Sequence, residues 1–95
     1  MLPEPLKNLA SAYFNQDYDL DYDTPIEAVT DYRETNPPES VNTLREAIRS
    51  LLDNGASDEK LTHVWLEEGN ASYDPRVDGV TMTDWFRTML ETLDQ

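Results

Sequence analysis

The chain lacks cysteine entirely and contains only three glycines, one histidine and seven basic residues among 95. Without cysteine, a disulfide framework and a thiolate nucleophile or metal ligand are excluded. No apolar run approaches the ~18 residues that cross a bilayer. The N-terminal residues also lack the basic and apolar regions of a signal peptide. We therefore expect one small domain spanning residues 1–95, with no membrane partner.

The shortage of basic residues contrasts with 20 acidic ones, which gives a formal net charge of −13. A charge of this sign is repelled by phosphate backbones and by anionic membrane surfaces. Direct binding to nucleic acid is therefore a poor hypothesis, and binding to a basic protein is a good one.

The residues that commonly carry catalysis are also scarce. The single histidine, His63, lies within a predicted helix beside the apolar Val64 and Trp65. No second histidine and no glycine-rich phosphate loop accompanies it, so we predict no catalytic residue and no cofactor. The adjacent acids Glu67 and Glu68 do not face each other on an ideal α-helix.

Apolar residues recur at helical spacing in five segments, which predicts an all-α fold. The first helix is expected from about Pro3 to Phe14, and the later ones follow predicted N-caps at Thr24, Asn36, Ser57, and Thr81 or Thr83. The third has the clearest apolar stripe, with Ile48 at its centre, and Gly55 is its expected end. The prediction is a single small bundle of about five helices with an acidic loop between helices 1 and 2.

That acidic loop, residues 15–23, alternates acids with apolar and aromatic residues. Its acids are Asp17, Asp19, Asp21 and Asp23. Residues 17–39 hold eight acids against Arg33 alone. Clustered like charges destabilise a compact state, so the clustering favours a function for this segment. We predict an ordered loop with its aromatic residues pointing inward.

Three interpretations of the acidic loop remain open. Alternate aspartates are typical of calcium-binding loops, but the glycine and glutamate that an EF-hand requires are missing here, so we predict no metal site of that kind. Weak divalent-cation binding and a merely solvated capping loop are the first two alternatives. A contact surface for a basic partner is the third, with Tyr18 and Tyr22 either anchoring that interface or filling the protein's own core.

The segment Tyr13-Phe14-Asn15-Gln16-Asp17-Tyr18-Asp19, followed by Asp21-Tyr22, is similar to the "YFHQDW…DY" signature of contact-dependent growth inhibition immunity proteins. The Leu51-Leu52 helix end, the loop of residues 69–75 and the Asp84-Trp85-Phe86 helix start match the same family pattern. Asn15 stands where the signature has histidine and Tyr18 where it has tryptophan. Any role of that histidine is therefore not carried over.

The resemblance implies a cytoplasmic, non-enzymatic inhibitor that binds a cognate toxin C-terminal domain, expected to be a basic nuclease, as a monomer in a 1:1 complex. The expected toxin-binding residues are Asp17, Tyr18, Asp19, Asp21, Tyr22, Asp23, Glu67, Glu68 and Asp74. If the acidic loop is not the interface, the patch formed by Glu67, Glu68, Asp74 and Asp78 is the expected replacement. The alternative function is an acidic protein-interaction or regulatory module without a toxin partner.

Overall fold

Helices account for most of the computed structural model, which describes residues 4–94 apart from the side chain of Asp19. The helices are α1 (Glu4–Asn8, continued by a π-helical turn Leu9–Tyr13), α2 (Tyr18–Asp21), α3 (Pro25–Thr35), α4 (Pro38–Asp53), α5 (Asp58–Thr62, continued by a π-helical turn His63–Glu68), a 3-10 helix (Pro75–Asp78) and α6 (Met82–Leu93). These residues contain no strand, and the all-α prediction is confirmed. None of these helices is long and apolar enough to cross a membrane.

Most helix starts lie where the sequence places them. Thr24 and Glu27 form a capping box at α3, in which the Glu27 carboxylate accepts the backbone N–H of Thr24 at 3.3 Å. The Ser57 hydroxyl caps α5 by accepting the N–H of Lys60 at 3.2 Å. Thr81, rather than Thr83, caps α6. These side chains satisfy backbone donors that a helix N-terminus otherwise leaves unpaired.

Two boundaries differ from expectation. Asn36 does not cap α4, because Pro37 occupies the cap position and Asn36 instead ends α3. Its side-chain amide donates to the carbonyl of Tyr32 at 3.0 Å and to the hydroxyl of Tyr13 at 3.1 Å. The expected start of the first helix at Pro3 lies outside the described residues. The end of that helix widens into a π-helical turn, and Phe14 lies just beyond it.

The core forms where α4 and α6 pack against each other, with α1, α3 and α5 packed around them. Leu44 and Ile48 of α4 and Phe86 and Met89 of α6 are fully buried. The predicted stripe of α4 is therefore confirmed at its centre, while Leu51 and Leu52 at its end are half-buried. The Gly55 that follows has φ +72°, the left-handed conformation that ends many helices.

The C-terminal end of α6 is held by three arginines from neighbouring helices. Arg33 of α3 donates to the carbonyl of Thr92 at 2.7 Å. Arg45 and Arg49 of α4 lie 3.3 and 3.5 Å from the carboxylate of Asp94. Cations at this position also complement the partial negative charge of a helix C-terminus. The contacts therefore fix both α3 and α4 against α6.

The N-terminal end of α6 is held by one carboxylate from α5. Asp58 accepts the backbone N–H groups of Met82 at 3.2 Å and Thr83 at 3.1 Å, and also the Thr83 hydroxyl. The hydrogen bond from the Thr83 hydroxyl lowers the pKa of Asp58, because it favours the ionised form.

Replacing Ile48 by Ala is expected to lower the free energy of unfolding by about 2–5 kcal/mol, because a fully buried side chain is removed and a cavity remains. Urea denaturation measures the change. The matched control is Thr43→Ala on the exposed side of the same helix, which should change stability by less than about 0.5 kcal/mol. Equal effects of the two substitutions would contradict the packing described.

Asp58→Asn is expected to lower the melting temperature at neutral pH. Because the folded pKa lies below the ordinary 3.8, the stabilisation from this carboxylate is present above 3.8 and is lost as pH falls through the folded pKa. The difference from the parent protein should therefore shrink under acidic conditions. Glu59→Gln removes the neighbouring charge as a control. A melting difference independent of pH would contradict the carboxylate's role.

Candidate functional site

The first π-helical turn closely approaches the end of the second at Gly69. A Cβ at Gly69 would lie 2.7 Å from the Cβ of Ala10 and 2.9 Å from the carbonyl oxygen of Trp65. The φ of Gly69 is −82°, a value open to any residue, so glycine is needed here for space. π-Helical turns are rare and often occur at functional sites. Here both turns precede a loop that carries predicted site residues.

The loop after the second π-helical turn is fastened to the end of the first. The N–H of Ser72 donates to the carbonyl of Phe14 at 2.7 Å. The indole N–H of Trp65 donates to the carbonyl of Tyr73 at 2.8 Å within the core. The rings of Phe14 and Tyr73 also stack, with centroids 5.9 Å apart. These contacts fix the backbone of residues 72–73 at one end of the molecule.

The acidic loop reaches the same end. Its backbone is ordered by the one-turn helix α2, a feature that the sequence analysis did not predict. The ring of Tyr18 lies 5.6 Å from that of Phe14 and 5.8 Å from that of Tyr73. Tyr22 is half-buried, and its hydroxyl donates to the Asp31 carboxylate at 2.5 Å. Burial, together with Asp31, raises the pKa of Tyr22. The prediction of inward-facing aromatic residues is confirmed.

The carboxylates of the loop point away from the core. Asp17, Asp21 and Asp23 are exposed, and none of them forms an ion pair within the described part of the chain. The side chain of Asp19 lies outside the described residues. Among residues 4–94, no group of three or more potential ligands is arranged to hold a metal ion. The loop therefore presents charge that no cation in this part of the chain neutralises.

A groove of about 250 Å³ separates the acidic loop from the 3-10 helix. We call it the loop groove. Its lining residues come from both segments and are Tyr18, Ser72, Tyr73, Asp74, Val77 and Asp78. Two segments that are 55 residues apart in the sequence thus share one surface. The groove brings together the predicted site residues Tyr18 and Asp74.

The two carboxylates of the loop groove differ in their partners. Both oxygens of Asp74 pair with the Arg76 guanidinium, at 2.9 and 2.8 Å, and this hydrogen bonding lowers the pKa of Asp74. Asp78 accepts only the Tyr73 hydroxyl, at 3.3 Å, among the described residues. Burial, aided by Asp78, raises the pKa of Tyr73 to about 12. Asp78 therefore keeps an uncompensated negative charge.

Glu67 and Glu68 lie away from the loop groove. Glu67 is 2.6 Å from Nδ1 of His63, and Glu68 is 3.7 Å from Nε2 of the same ring. Ideal α-helical spacing does not predict that two adjacent acids reach the same imidazole. The wider π-helical turn places both Glu67 and Glu68 near the His63 ring. Glu67 lines a second groove of about 720 Å³, which also includes Arg76. Of the predicted acidic patch, Asp74 and Asp78 thus line the loop groove, Glu67 lines the second groove, and Glu68 lines neither.

Two exposed apolar side chains were not identified from the sequence. Leu20 is 81% exposed on α2, and Val77 is 83% exposed at the loop groove. They are the large apolar residues most exposed in the part of the chain that the structure describes. Leu20 lies between the inward Tyr18 and Tyr22, and α2 turns its side chain outward.

The comparisons with known proteins identify the family. The family model described as CdiI immunity protein matches residues 3–93. The chain belongs to the CdiI immunity protein family. A search of curated proteins finds no match. Among solved structures, this CdiI family member is similar to a chain in the crystal structure of the CdiA-CT/CdiI complex from Y. kristensenii 33638. The TM-score is 0.85 and the identity 22%, covering 94% of this chain and 95% of that chain.

Gly69→Ala is expected to destabilise this CdiI family member by about 1–3 kcal/mol, because the added methyl group meets Ala10 and the Trp65 carbonyl. Chemical denaturation measures the loss. In a double-mutant cycle with Ala10→Gly, the double variant should be less destabilised than the sum of the single variants. Strict additivity would show that the two positions do not contact each other.

Proposed function

We propose that this protein binds and neutralises the C-terminal toxin domain of a contact-dependent growth inhibition system. The observation that carries the proposal is the family match over residues 3–93. The likeness in fold to a chain of the CdiA-CT/CdiI complex supports a CdiA C-terminal domain as the class of partner. The proposed inhibitor is non-catalytic, acts in the cytoplasm and binds one toxin domain per molecule.

The chemistry of the surface supports a basic partner. The net charge is −13, and three exposed aspartates of the acidic loop have no ion pair among the described residues. A nuclease that binds phosphate backbones carries the complementary charge, so a nuclease toxin is the partner activity that we propose. Complementary charge speeds association, which benefits an inhibitor that must act before damage accumulates.

The proposed toxin-binding surface consists of the acidic loop and the adjoining loop groove. It includes Asp17, Tyr18, Asp19, Asp21, Tyr22, Asp23 and Asp74. The exposed Leu20 and Val77 support this location, because they add apolar contact area to a charged surface. Glu67 lines the groove of about 720 Å³, and Glu68 is next to Glu67 in the sequence. We propose that both belong to a more distant part of the same negatively charged surface.

The test compares two triple variants with the same total charge. The loop variant carries Asp17→Asn, Asp21→Asn and Asp23→Asn. The control variant carries Glu39→Gln, Asp53→Asn and Glu91→Gln, at exposed helix positions. The partner is the purified CdiA C-terminal domain that we expect to be encoded directly upstream of this gene. At low salt, the loop variant should associate roughly tenfold more slowly than the control, within the range of electrostatic steering.

The loop variant should also show the weaker dependence of association rate on ionic strength. Thermal melts of both variants serve as folding controls. Failure of the unmodified protein to bind and inhibit the toxin domain would overturn the proposed function. Equal rates for the two variants would retain that function and move the interface away from the acidic loop.

A further inference from the structure

We propose that the loop groove receives one arginine side chain of the partner, which lies along the ring of Tyr18 and pairs with Asp78. This inference rests on the proposed function, because it names the chemical feature that the toxin domain presents to this surface. It assigns to Asp78 and Tyr18 a direct role in recognition, with Tyr73 supporting both.

The dimensions of the groove fit a side chain. Its volume is about 250 Å³, whereas pockets for small organic ligands are typically about 300–1,000 Å³. Val77 at its edge is 83% exposed, so the groove opens to solvent beside an apolar surface. A long side chain can lay its methylene groups along such a surface while its charged end reaches a polar partner.

The aromatic lining favours a planar cation. Tyr18 and Tyr73 meet edge to face, with centroids 5.8 Å apart and an angle of 61° between their planes. Guanidinium groups stack on aromatic faces and are more weakly hydrated than ammonium groups. Tyr18 is half-buried and turns part of its ring to the groove, whereas Tyr73 is only 7% exposed and packs against Phe14 and Trp85. The ring of Tyr18 therefore favours arginine over lysine.

The charges at the groove select Asp78 as the partner of that arginine. Asp74 is already bound through both oxygens by Arg76, so its charge is compensated within the chain. Asp78 has no ion pair among the described residues and accepts only the Tyr73 hydroxyl. A guanidinium beside the Tyr18 ring would add the missing cation. Its bond to the Asp78 carboxylate would carry charge on both partners, whereas the present donor, the Tyr73 hydroxyl, is neutral.

The groove is also built in advance of binding. The backbone of Tyr73 is held by the Trp65 indole, and the backbone of Ser72 is held by the Phe14 carbonyl. Trp85 packs its ring 5.0 Å from that of Tyr73 on the core side. A preformed surface loses little conformational freedom when a partner binds, which raises affinity.

The first experiment uses a probe that is independent of the toxin. The full chain, labelled with ¹⁵N, is titrated with acetyl-arginine amide and, separately, with acetyl-citrulline amide, the neutral analogue of similar shape. The arginine probe should shift the amide resonances of Tyr73, Val77 and Asp78 in a saturable manner, and the citrulline probe should shift them much less. Equal shifts with both probes, or shifts spread over the whole acidic surface, would overturn the inference.

The second experiment measures the affinity of the toxin domain for single variants. Asp78→Asn removes the charge but keeps an oxygen for the Tyr73 hydroxyl, and it should weaken binding at least tenfold. Asp53→Asn, the control with the same charge change on α4, should change binding less than twofold. Val77→Arg places a cation at the groove and should weaken toxin binding as strongly as Asp78→Asn does. Ser50→Arg, the control on α4, should weaken toxin binding much less.

These results separate the two proposals. Toxin binding that is unaffected by Asp78→Asn and by Val77→Arg would overturn the arginine site while retaining the immunity function. A localised response to acetyl-arginine amide without any binding of the toxin domain would overturn the immunity function and support the groove as an arginine site. Thermal melts show whether each variant is folded.

Discussion

The close approach of Gly69 to Ala10 is the contact on which the rest of the candidate site depends. It brings the end of the second π-helical turn to the first, and each turn leads into a loop with predicted site residues. With the turns in contact, Ser72 reaches the Phe14 carbonyl, and Tyr73 packs against Phe14 and Tyr18. The position of the acidic loop relative to the 3-10 helix is thus set by core packing. A larger residue at position 69 would separate the loops.

The arginine side chains of the protein form ion pairs within the fold. All five arginines form ion pairs with acids of the chain, including the three that fasten the C-terminal end of α6. Exposed ion pairs contribute little individually, so their main effect here is on where negative charge remains uncompensated. Acids without an ion pair among the described residues include Asp17, Asp21 and Asp23 of the acidic loop and Asp78, besides Glu39, Asp53 and Glu91 on the helices. The unpaired acids of the loop and of the groove lie together on the surface that we propose for binding.

Much of the fold follows from local sequence signals. The caps at Thr24, Ser57 and Thr81 and the buried position of Ile48 are predictable, because each depends on neighbouring residues or on helical periodicity. The prediction that Asn36 caps α4 was wrong. Two prolines follow Asn36, and α4 begins at Pro38, one residue later than expected. π-Helical turns were not predictable, because a short apolar pattern does not distinguish 3.6 residues per turn from a wider spacing.

The candidate site was predictable only in part. The acidic loop is visible as a local concentration of aspartates, and the inward direction of Tyr18 and Tyr22 follows from their aromatic character. The loop groove cannot be predicted from the sequence, because Tyr18 and Tyr73, which meet in it, are 55 residues apart. The sequence also does not show that Asp74 is paired and Asp78 is not, since only the structure shows which carboxylate binds Arg76.

The groups gathered at the two ends of α6 affect how the molecule rotates in an electric field. Three arginines gather at its C-terminal end, while the loop groove lies near Trp85 in its first turns. A helix of 12 residues is about 18 Å long. At its arginine end Glu34 and Asp94 are paired with cations, whereas Asp17, Asp21, Asp23 and Asp78 near the groove have no ion pair among the described residues, so negative charge is unevenly distributed. The field of a basic body therefore exerts a torque that turns the groove toward it before the surfaces touch. The rotational search for the bound orientation is thereby shortened.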